Sequence, residues 1–337
     1  MLALDVCTER WPLKEPFRIA GHAFTDAEVI TVKLTQDGIT GEGEASGVFY
    51  RDETPQVLLA QIETVRPAIE SGLDRQILRS LLPPGGARNA IDCALWDLEC
   101  KSIGRNAWEM TGMPAVGTIA TTYTIGADTP ARMAAVARGY VGAPRLKIKL
   151  TGENDDERLR AIREARPDAW IAVDANQSYS RGDLEVLLPL LQSLEVALIE
   201  QPLAANYDAD LDGLDSPIPL AADESVQNLG DVARAKGRYD VINIKLDKCG
   251  GLTEALLMID AIRAAGMKPM VGCMAGTSLA MIPGALVGQH CDIVDMDAAM
   301  FLARDRVPSV AYRNGSIVPP SMGWGWPPRK QARQMRV

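Results

Sequence analysis

Apolar residues recur with two different periods along the 337-residue chain. Near the N-terminus, residues 27–34 (AEVITVKL) are rich in β-branched side chains and predict a strand. Asp37-Gly38 is a strong hairpin signal, and residues 38–46 (GITGEGEAS) predict the returning strand. Residues 53–72 then carry apolar side chains at helical spacing. The pattern predicts an α+β unit over residues 1–115.

A second helix is predicted in this unit after the chain-breaking run Pro83-Pro84-Gly85-Gly86. Asn89 is the expected N-cap residue, and Gly104 is the expected stop. The predicted apolar face consists of Ile91, Ala94, Leu95 and Leu98.

From about residue 119 the pattern changes to short apolar runs that alternate with charged, helical stretches. Such alternation predicts a parallel sheet, and eight strands in about 180 residues predict a TIM-like barrel. The fold class is therefore α/β, a modified TIM barrel of the (β/α)7β type with an α+β N-terminal capping domain. The expected domains are the capping domain at 1–115, the catalytic barrel at 116–305 and a C-terminal segment, 306–337, that returns to the capping domain.

The net charge of −9 argues against nucleic acid and anionic lipid as partners, since both would need a basic surface. No apolar run reaches the length of about 18 residues that a membrane span needs. The start of the chain lacks the features of a secretory signal, so we expect a cytoplasmic protein. The sequence leaves open whether it forms a homo-oligomer.

Histidine is scarce, with only His22 and His290 in the chain, and none of the six cysteines forms a CxxC pair. The scarcity of histidine therefore argues against a Ser-His-Asp hydrolase and against a His-ligated zinc enzyme.

Charged residues instead end the predicted barrel strands. Chemistry in such barrels gathers at the C-terminal ends of the strands. The intervals between these strand-end residues, 25, 26, 23 and 22, correspond to one β/α unit each, so the groups should point into one mouth. The residues are Lys149, Asp174, Glu200, Asp223 and Lys245.

Lys147 and Lys149 lie two residues apart and share one strand face, which in a closed barrel is an inner face. Two buried ammonium groups are unfavourable without nearby negative charges, and the carboxylates at the ends of the next three strands supply those charges. Three carboxylates without His or Cys favour a hard cation such as Mg²⁺, with positions left for water and a substrate carboxylate. Lys149 and Lys245 would then lie on opposite sides of the carbon next to that carboxylate, and Mg²⁺ would stabilise the enediolate formed when the α-proton leaves.

This pattern resembles the enolase superfamily, and within it the muconate-lactonizing-enzyme subgroup. The resemblance is carried by Lys147-Ile148-Lys149, Asp174-Ala175-Asn176, Glu200-Gln201-Pro202, Asp223-Glu224-Ser225 and Lys245, with NAIDCALWDL (89–98) and CGGLTEAL (249–256). It implies Mg²⁺ as cofactor, bound by Asp174, Glu200 and Asp223. It also implies that Lys149 and Lys245 act as catalytic bases on opposite faces and that Lys147 helps to hold the substrate carboxylate.

Asp295-Met296-Asp297 after the eighth strand resembles the dipeptide epimerases, in which such a pair binds the substrate's α-ammonium group. GCMAGTSLA (272–280) also resembles their seventh loop. The expected function is a Mg²⁺-dependent dipeptide epimerase of the L-Ala-D/L-Glu type, an isomerase that moves the α-proton of the second residue. The alternatives are an o-succinylbenzoate synthase or muconate-type cycloisomerase, whose substrates have no ammonium group, and a barrel that binds without turnover.

The identity of the second substrate residue is left open. Ala-Glu epimerases often carry a basic residue in the first mobile loop of the cap, but here residues 19–24 (IAGHAF) contain no Arg. Arg18, His22 or Arg51 are candidates for its place, and Arg51 and Thr124 are further candidate substrate-binding residues. Loops near 18–24 and 47–54 are expected to close over the substrate and set specificity.

Overall fold

The computed structural model describes residues 2–326, and it begins with an antiparallel sheet. Strands β1 (Ala3–Ile19), β2 (His22–Gln36) and β3 (Ile39–Ala45) pair in that order. The predicted hairpin is confirmed, because Asp37 and Gly38 both adopt left-handed φ values, 51° and 78°. One face of this sheet packs on three helices, α1 (Pro55–Glu70), α2 (Arg75–Leu81) and α3 (Gly86–Ile103), and a short helix, α4 (Ala107–Thr111), follows α3.

The helix predicted from residue 89 begins earlier than expected. α3 begins at Gly86, and the residue before it, Gly85, has φ 155°, a conformation that favours glycine. Asn89 is therefore inside the helix rather than at its cap, and its buried amide donates to the carbonyl of Glu44 at 3.4 Å. The expected stop is confirmed, with Gly104 at φ 71°.

Eight parallel strands follow, each paired with its neighbours in chain order, which confirms the predicted barrel. The Thr122 amide donates to the carbonyl of Val294 at 2.9 Å and joins the first and last strands, so the barrel is nearly closed. A 3₁₀ helix, Ala205–Leu211, replaces the α-helix between the fourth and fifth strands. A short strand, β4 (Ile119–Ala120), precedes the barrel. The barrel strands are β5 (Tyr123–Ile125), β6 (Arg145–Lys149), β7 (Trp170–Asp174), β8 (Val196–Glu200), β9 (Leu220–Ala222), β10 (Val241–Lys245), β11 (Lys268–Gly272) and β12 (Ile293–Asp295), and the helices are α5 (Pro130–Gly139), α6 (Asp155–Ala165), α7 (Arg181–Ser193), α8 (Val232–Ala235), α9 (Leu246–Cys249), α10 (Leu252–Ala264) and α11 (Ser278–Gly288).

The barrel interior separates an apolar layer from a charged one. Ala172 and Leu198 each lie two residues before a strand-end carboxylate and pack together inside the barrel. On β6, Leu146 and Ile148 instead join the outer core, so Lys147 and Lys149 between and after them face inward. This alternation places the charged side chains at the C-terminal end of the barrel, above the apolar layer that fills its interior.

The cap is fixed to the barrel through α3 and the start of α10. The Asp92 carboxylate accepts from the amide and hydroxyl of Thr253 at 2.9 and 2.6 Å. A Cβ at Gly250 would lie 2.2 Å from Arg88, and one at Gly251 2.5 Å from Asp92. The two glycines are required here because they let the barrel loop approach α3 this closely.

The chain returns to the cap after the barrel. Strands β13 (Ala311–Arg313) and β14 (Ser316–Val318) form a small sheet with β4. The indole of Trp324 donates to the carbonyl of Cys93 at 3.0 Å, which lies on α3. The rest of the predicted C-terminal segment, residues 327–337, lies outside the described residues, and the proposed domain boundaries stay predictions. Within residues 2–326, no helix is both long and apolar enough to cross a membrane.

Candidate active site

Three carboxylates stand side by side at the C-terminal ends of β7, β8 and β9. Asp174 pairs in register with Lys149 on one side and with Glu200 on the other. Asp223 follows β9 directly. All three carboxylates are fully buried, with at most 1% of each residue exposed. The structure thus brings together the three residues that the sequence suggested as metal ligands.

Each carboxylate is paired with a lysine. Lys149 Nζ lies 2.5 Å from Asp174, and Lys245 Nζ lies 2.7 Å from Asp223. Burial works to raise the pKa of Asp174, but Lys147 and Lys149 outweigh it and lower that pKa to about 2. Burial works to lower the pKa of Lys245, and the facing Asp223 carboxylate outweighs it and raises the pKa.

Glu200 is the least satisfied of the three carboxylates. Its Oε1 accepts from the Asn243 amide at 2.8 Å, whereas its Oε2 lies 2.7 Å from Lys147 Nζ but off the hydrogen-bonding direction, and it accepts no hydrogen bond. Burial and the nearby Asp174 raise the pKa of Glu200 to about 7. A buried carboxylate oxygen that accepts no hydrogen bond, within an acidic cluster, is a favourable place for a cation.

The donor set fits a hard divalent cation. As the side chains stand in residues 2–326, no three acidic, histidine or cysteine residues converge closely enough to hold a metal, and lysines contact the carboxylates of Asp174 and Asp223. The oxygens of Asp174, Glu200 and Asp223 are nevertheless the ligands that Mg²⁺ prefers, and they lie on adjacent strand ends. The Glu200 oxygen that accepts no hydrogen bond supports the same conclusion.

The pair Asp295 and Asp297 lies across the mouth from Glu200, on the eighth strand. Asp295 bonds Lys147 Nζ at 2.7 Å and accepts from the hydroxyl of Thr122 at 2.5 Å. Asp297 accepts from the backbone amide of Thr124 at 2.6 Å. Burial and the neighbouring Asp295 raise the pKa of Asp297 to about 7, because two buried carboxylates so close together disfavour a second negative charge.

A cavity of about 510 Å³ connects these residues to the cap. Its floor includes Lys149, Lys245, Asp297 and Thr124, and its roof comes from cap residues 22–28, 46, 47, 49, 50 and 52–55. The predicted closure by the cap loops near 18–24 and 47–54 is consistent with this roof.

Arg51, a predicted substrate-binding residue, is held by neighbouring groups, and its role stays a prediction. It does not line this cavity, because its guanidinium is held by Glu53 at 2.9 Å and by the carbonyl of Pro84 at 2.8 Å. Arg18 does not line it either and lies 3.9 Å from Asp128. His22 is the one of the three candidates that reaches the cavity wall.

Four further residues of the site carried no prediction. Asn243 lies two residues before Lys245 on the same strand face, a spacing that could have revealed it. Lys248 is fully buried and donates to Asp223. Glu224 and Tyr50 line the cavity, and burial with the adjacent Asp223 raises the pKa of Glu224 to about 8. No sequence signal indicates Tyr50, because it comes from the cap.

Comparison with known families agrees with this geometry over both parts of the chain. Residues 1–112 match the model of the mandelate racemase / muconate lactonizing enzyme N-terminal domain. Residues 130–332 match the enolase C-terminal domain-like model.

Three individual proteins are similar over nearly the full chain. The L-Ala-D/L-Glu epimerase of Escherichia coli (strain K12) is 40% identical over 319 residues, which cover 94% of this chain and 99% of that protein. An enolase family member from Agrobacterium tumefaciens with homology to dipeptide epimerases, solved with sodium and L-Ala-L-Glu, is 42% identical with a TM-score of 0.92, covering 95% and 98%. A dipeptide epimerase from Methylococcus capsulatus, solved with Mg and L-Arg-D-Lys, is 32% identical with a TM-score of 0.87, covering 94% and 96%.

Proposed function

The chain belongs to the enolase superfamily, with a capping domain of the mandelate racemase / muconate lactonizing enzyme type, and we propose that it is a Mg²⁺-dependent dipeptide epimerase. The observation that carries the proposal is the Asp295–Asp297 pair at the same mouth as Lys149 and Lys245. The protein is an isomerase that acts on amino acid derivatives, and its relatives include epimerases of dipeptides and an N-acetyl-D-glutamate racemase.

In this proposal, different groups of residues in the mouth bind the metal, the substrate carboxylate and the substrate ammonium. Asp174, Glu200 and Asp223 hold the metal, which when bound supplies positive charge to stabilise the substrate carboxylate as the α-proton leaves. Lys147 faces the same carboxylate from below. Asp297 accepts hydrogen bonds from the substrate ammonium. The backbone amide of Thr124 donates to the Asp297 carboxylate and holds it in place.

Lys149 and Lys245 are the proton carriers. They end the second and sixth strands of an eight-stranded barrel, so they face each other across its mouth. One amine removes the α-proton and the ammonium form of the other returns a proton to the opposite face, which inverts the carbon. The roof formed by the cap keeps bulk water from the exposed carbanion.

The alternative is a lyase or cycloisomerase acting on an acid without an amine. It would leave the buried Asp297 carboxylate without a cation, which is unfavourable. N-acylated amino acids would leave it unpaired in the same way.

Proton exchange tests the proposal directly. The Mg²⁺-loaded enzyme is incubated in deuterium oxide with a panel of L-Ala-L-Xaa dipeptides, their N-acetylated forms and a succinylbenzoate precursor, and α-deuterium is followed by mass spectrometry. The free dipeptides should incorporate deuterium and interconvert between diastereomers. Turnover of the succinylbenzoate precursor alone would overturn the proposal in favour of the lyase.

A further inference from the structure

Four aromatic side chains of the cap cover the cavity. We call His22, Phe24, Phe49 and Tyr50 together the aromatic roof. The His22 ring lies 4.3 Å from Phe24 and 5.1 Å from Phe49, centroid to centroid. Phe49 lies 5.4 Å from Phe24 and 5.2 Å from Tyr50. All four line the cavity, and Phe49 remains 38% exposed although its ring is a large apolar surface. The mouth thus offers an uncovered apolar surface to whatever enters.

The stereochemistry of the reaction determines which part of the substrate meets this roof. The α-carbon has four substituents. Its hydrogen must lie along the line between Lys149 and Lys245, its carboxylate points toward the carboxylates of β7 to β9, and its nitrogen points toward the eighth strand. The remaining substituent, the side chain of the second residue, can only leave the barrel upward, into the cap.

His22 is the only basic side chain of the aromatic roof, and the other cationic side chains that line the cavity are already paired with carboxylates. Among the described residues that line the cavity, Arg10 is the only arginine, and its guanidinium lies 2.8 Å from Asp26 and 3.9 Å from Glu28. The three lysines lie on the floor, paired with carboxylates. Asp52 adds a further negative charge to the wall. A glutamate side chain would therefore lose its hydration against aromatic rings and acidic groups.

We propose that the aromatic roof binds the side chain of the second substrate residue, and that the substrates are dipeptides whose second residue is large and apolar or aromatic. This inference rests on the proposed function, because it places the α-carbon between the two lysines. Aromatic rings in offset or edge-on contact, as the roof residues already make with one another, would accept one more ring in the same manner.

The first test compares kcat/KM for L-Ala-L-Phe, L-Ala-L-Leu, L-Ala-L-Glu, L-Ala-L-Lys and L-Ala-L-Ala with the Mg²⁺-loaded enzyme. We expect L-Ala-L-Phe and L-Ala-L-Leu to exceed L-Ala-L-Glu by at least about tenfold, the scale at which apolar pockets discriminate. A preference for L-Ala-L-Glu or L-Ala-L-Lys would overturn this inference and leave the epimerase proposal standing. Absence of exchange with every dipeptide would instead overturn the proposed function itself.

Variants of the roof separate side-chain binding from mere loop support. Phe49→Ala should lower kcat/KM for L-Ala-L-Phe at least about tenfold while changing L-Ala-L-Ala little, since a methyl group does not reach the ring. Phe24→Arg should shift the preference toward L-Ala-L-Glu by adding a cation to the roof. Tyr207→Ala removes an exposed aromatic side chain that does not line the cavity, and it should change neither ratio. An equal loss for all dipeptides in Phe49→Ala would show that the ring only supports the loop, and would contradict the inference.

Discussion

Lys248 Nζ lies 2.6 Å from Oδ1 of Asp223 and donates to the backbone carbonyl of the same residue at 2.5 Å. The same ammonium donates to the carbonyls of Val226 and Asn243 at 3.0 and 2.9 Å. Lys245 holds the other carboxylate oxygen of Asp223. One lysine therefore fixes the position of Asp223 from below, and the other faces it from within the mouth.

Lys248→Met should destabilise the protein, because methionine fills similar space but leaves buried oxygens without a donor. Breaking a buried ion pair of this kind costs about 3–5 kcal/mol in the free energy of unfolding. Denaturant unfolding measures this loss, and titration calorimetry should show weaker Mg²⁺ binding. Lys268→Met is the matched control, because Lys268 is exposed at the start of β11, at the end of the barrel opposite the mouth. Unfolding and Mg²⁺ binding unchanged in Lys248→Met would contradict the positioning role.

Glu200→Gln tests the metal site. Glutamine keeps the shape of the side chain but is neutral, so it lacks the negative charge that a divalent cation needs. Its amide nitrogen also takes the place of one carboxylate oxygen, the atom that accepts no hydrogen bond in Glu200. We expect turnover to be abolished and the fold to be retained. The melting temperature of the wild type should rise with added Mg²⁺, because ligand binding stabilises the folded state, and that of the variant should not.

A Mg²⁺-dependent rise in melting temperature in Glu200→Gln equal to that of the wild type would exclude this residue as a ligand. A metal-bound structure gives a second measurement. Asp174, Glu200 and Asp223 should each lie within about 3 Å of the ion, since Mg–O bonds are about 2.1 Å.

Sequence periodicity predicted the barrel and its mouth well, because strand-end positions recur with the β/α unit and inward-facing residues alternate along each strand. Lys149, Asp174 and Glu200 could be placed side by side for this reason, and the structure gives that register. The hairpin at Asp37-Gly38 was equally predictable, since both residues tolerate left-handed backbone.

Contacts between distant parts of the chain could not be predicted in the same way. The local sequence around Asn89 predicts a helix cap. Only the structure shows that Asn89 lies inside α3, where its buried amide donates to the backbone carbonyl of Glu44. The sequence likewise gives no sign that Glu53 and the carbonyl of Pro84 hold the guanidinium of Arg51. Such partners depend on how the cap sits over the barrel, which no local pattern encodes.

The pH dependence of turnover tests the ammonium site. The pKa of Asp297 is raised to about 7, so below that pH the carboxyl group becomes neutral and can no longer balance the substrate's ammonium. With Mg²⁺ at saturation, kcat/KM for a free dipeptide should therefore fall toward tenfold per pH unit below about pH 7, since this parameter reports ionisations of the free enzyme. Rates measured from pH 5.5 to 8 check this slope.

Asp297→Asn should lack this acid limb and turn over free dipeptides poorly at every pH, because a charge-assisted contact to a desolvated ammonium is lost. N-acetylated dipeptides carry no ammonium and should be poor substrates for the wild type. If they were processed as well as free dipeptides, the assignment of Asp297 would be wrong.

The last prediction concerns the two lysines that face each other across the mouth. Epimerisation needs one neutral amine and one ammonium, with the states exchanged for the reverse direction. The resemblance to the enolase superfamily assigns Lys149 to the L,L diastereomer and Lys245 to the L,D diastereomer. Lys245→Ala should stop epimerisation while Lys149 still exchanges deuterium into the L,L dipeptide, and Lys149→Ala should show the mirror result.

Mass and stereochemistry of the dipeptide, followed in deuterium oxide, distinguish the outcomes. The double variant should exchange neither diastereomer. Lys268→Ala should behave as the wild type, because that lysine is exposed at the start of β11, at the end of the barrel opposite the mouth. Interconversion at near wild-type rate in either single variant would exclude the two-base mechanism. Loss of all exchange in both single variants would mean that the lysines act as a unit in stabilising the carbanion, since residues that act together give non-additive losses, and the assignment of faces would then fail.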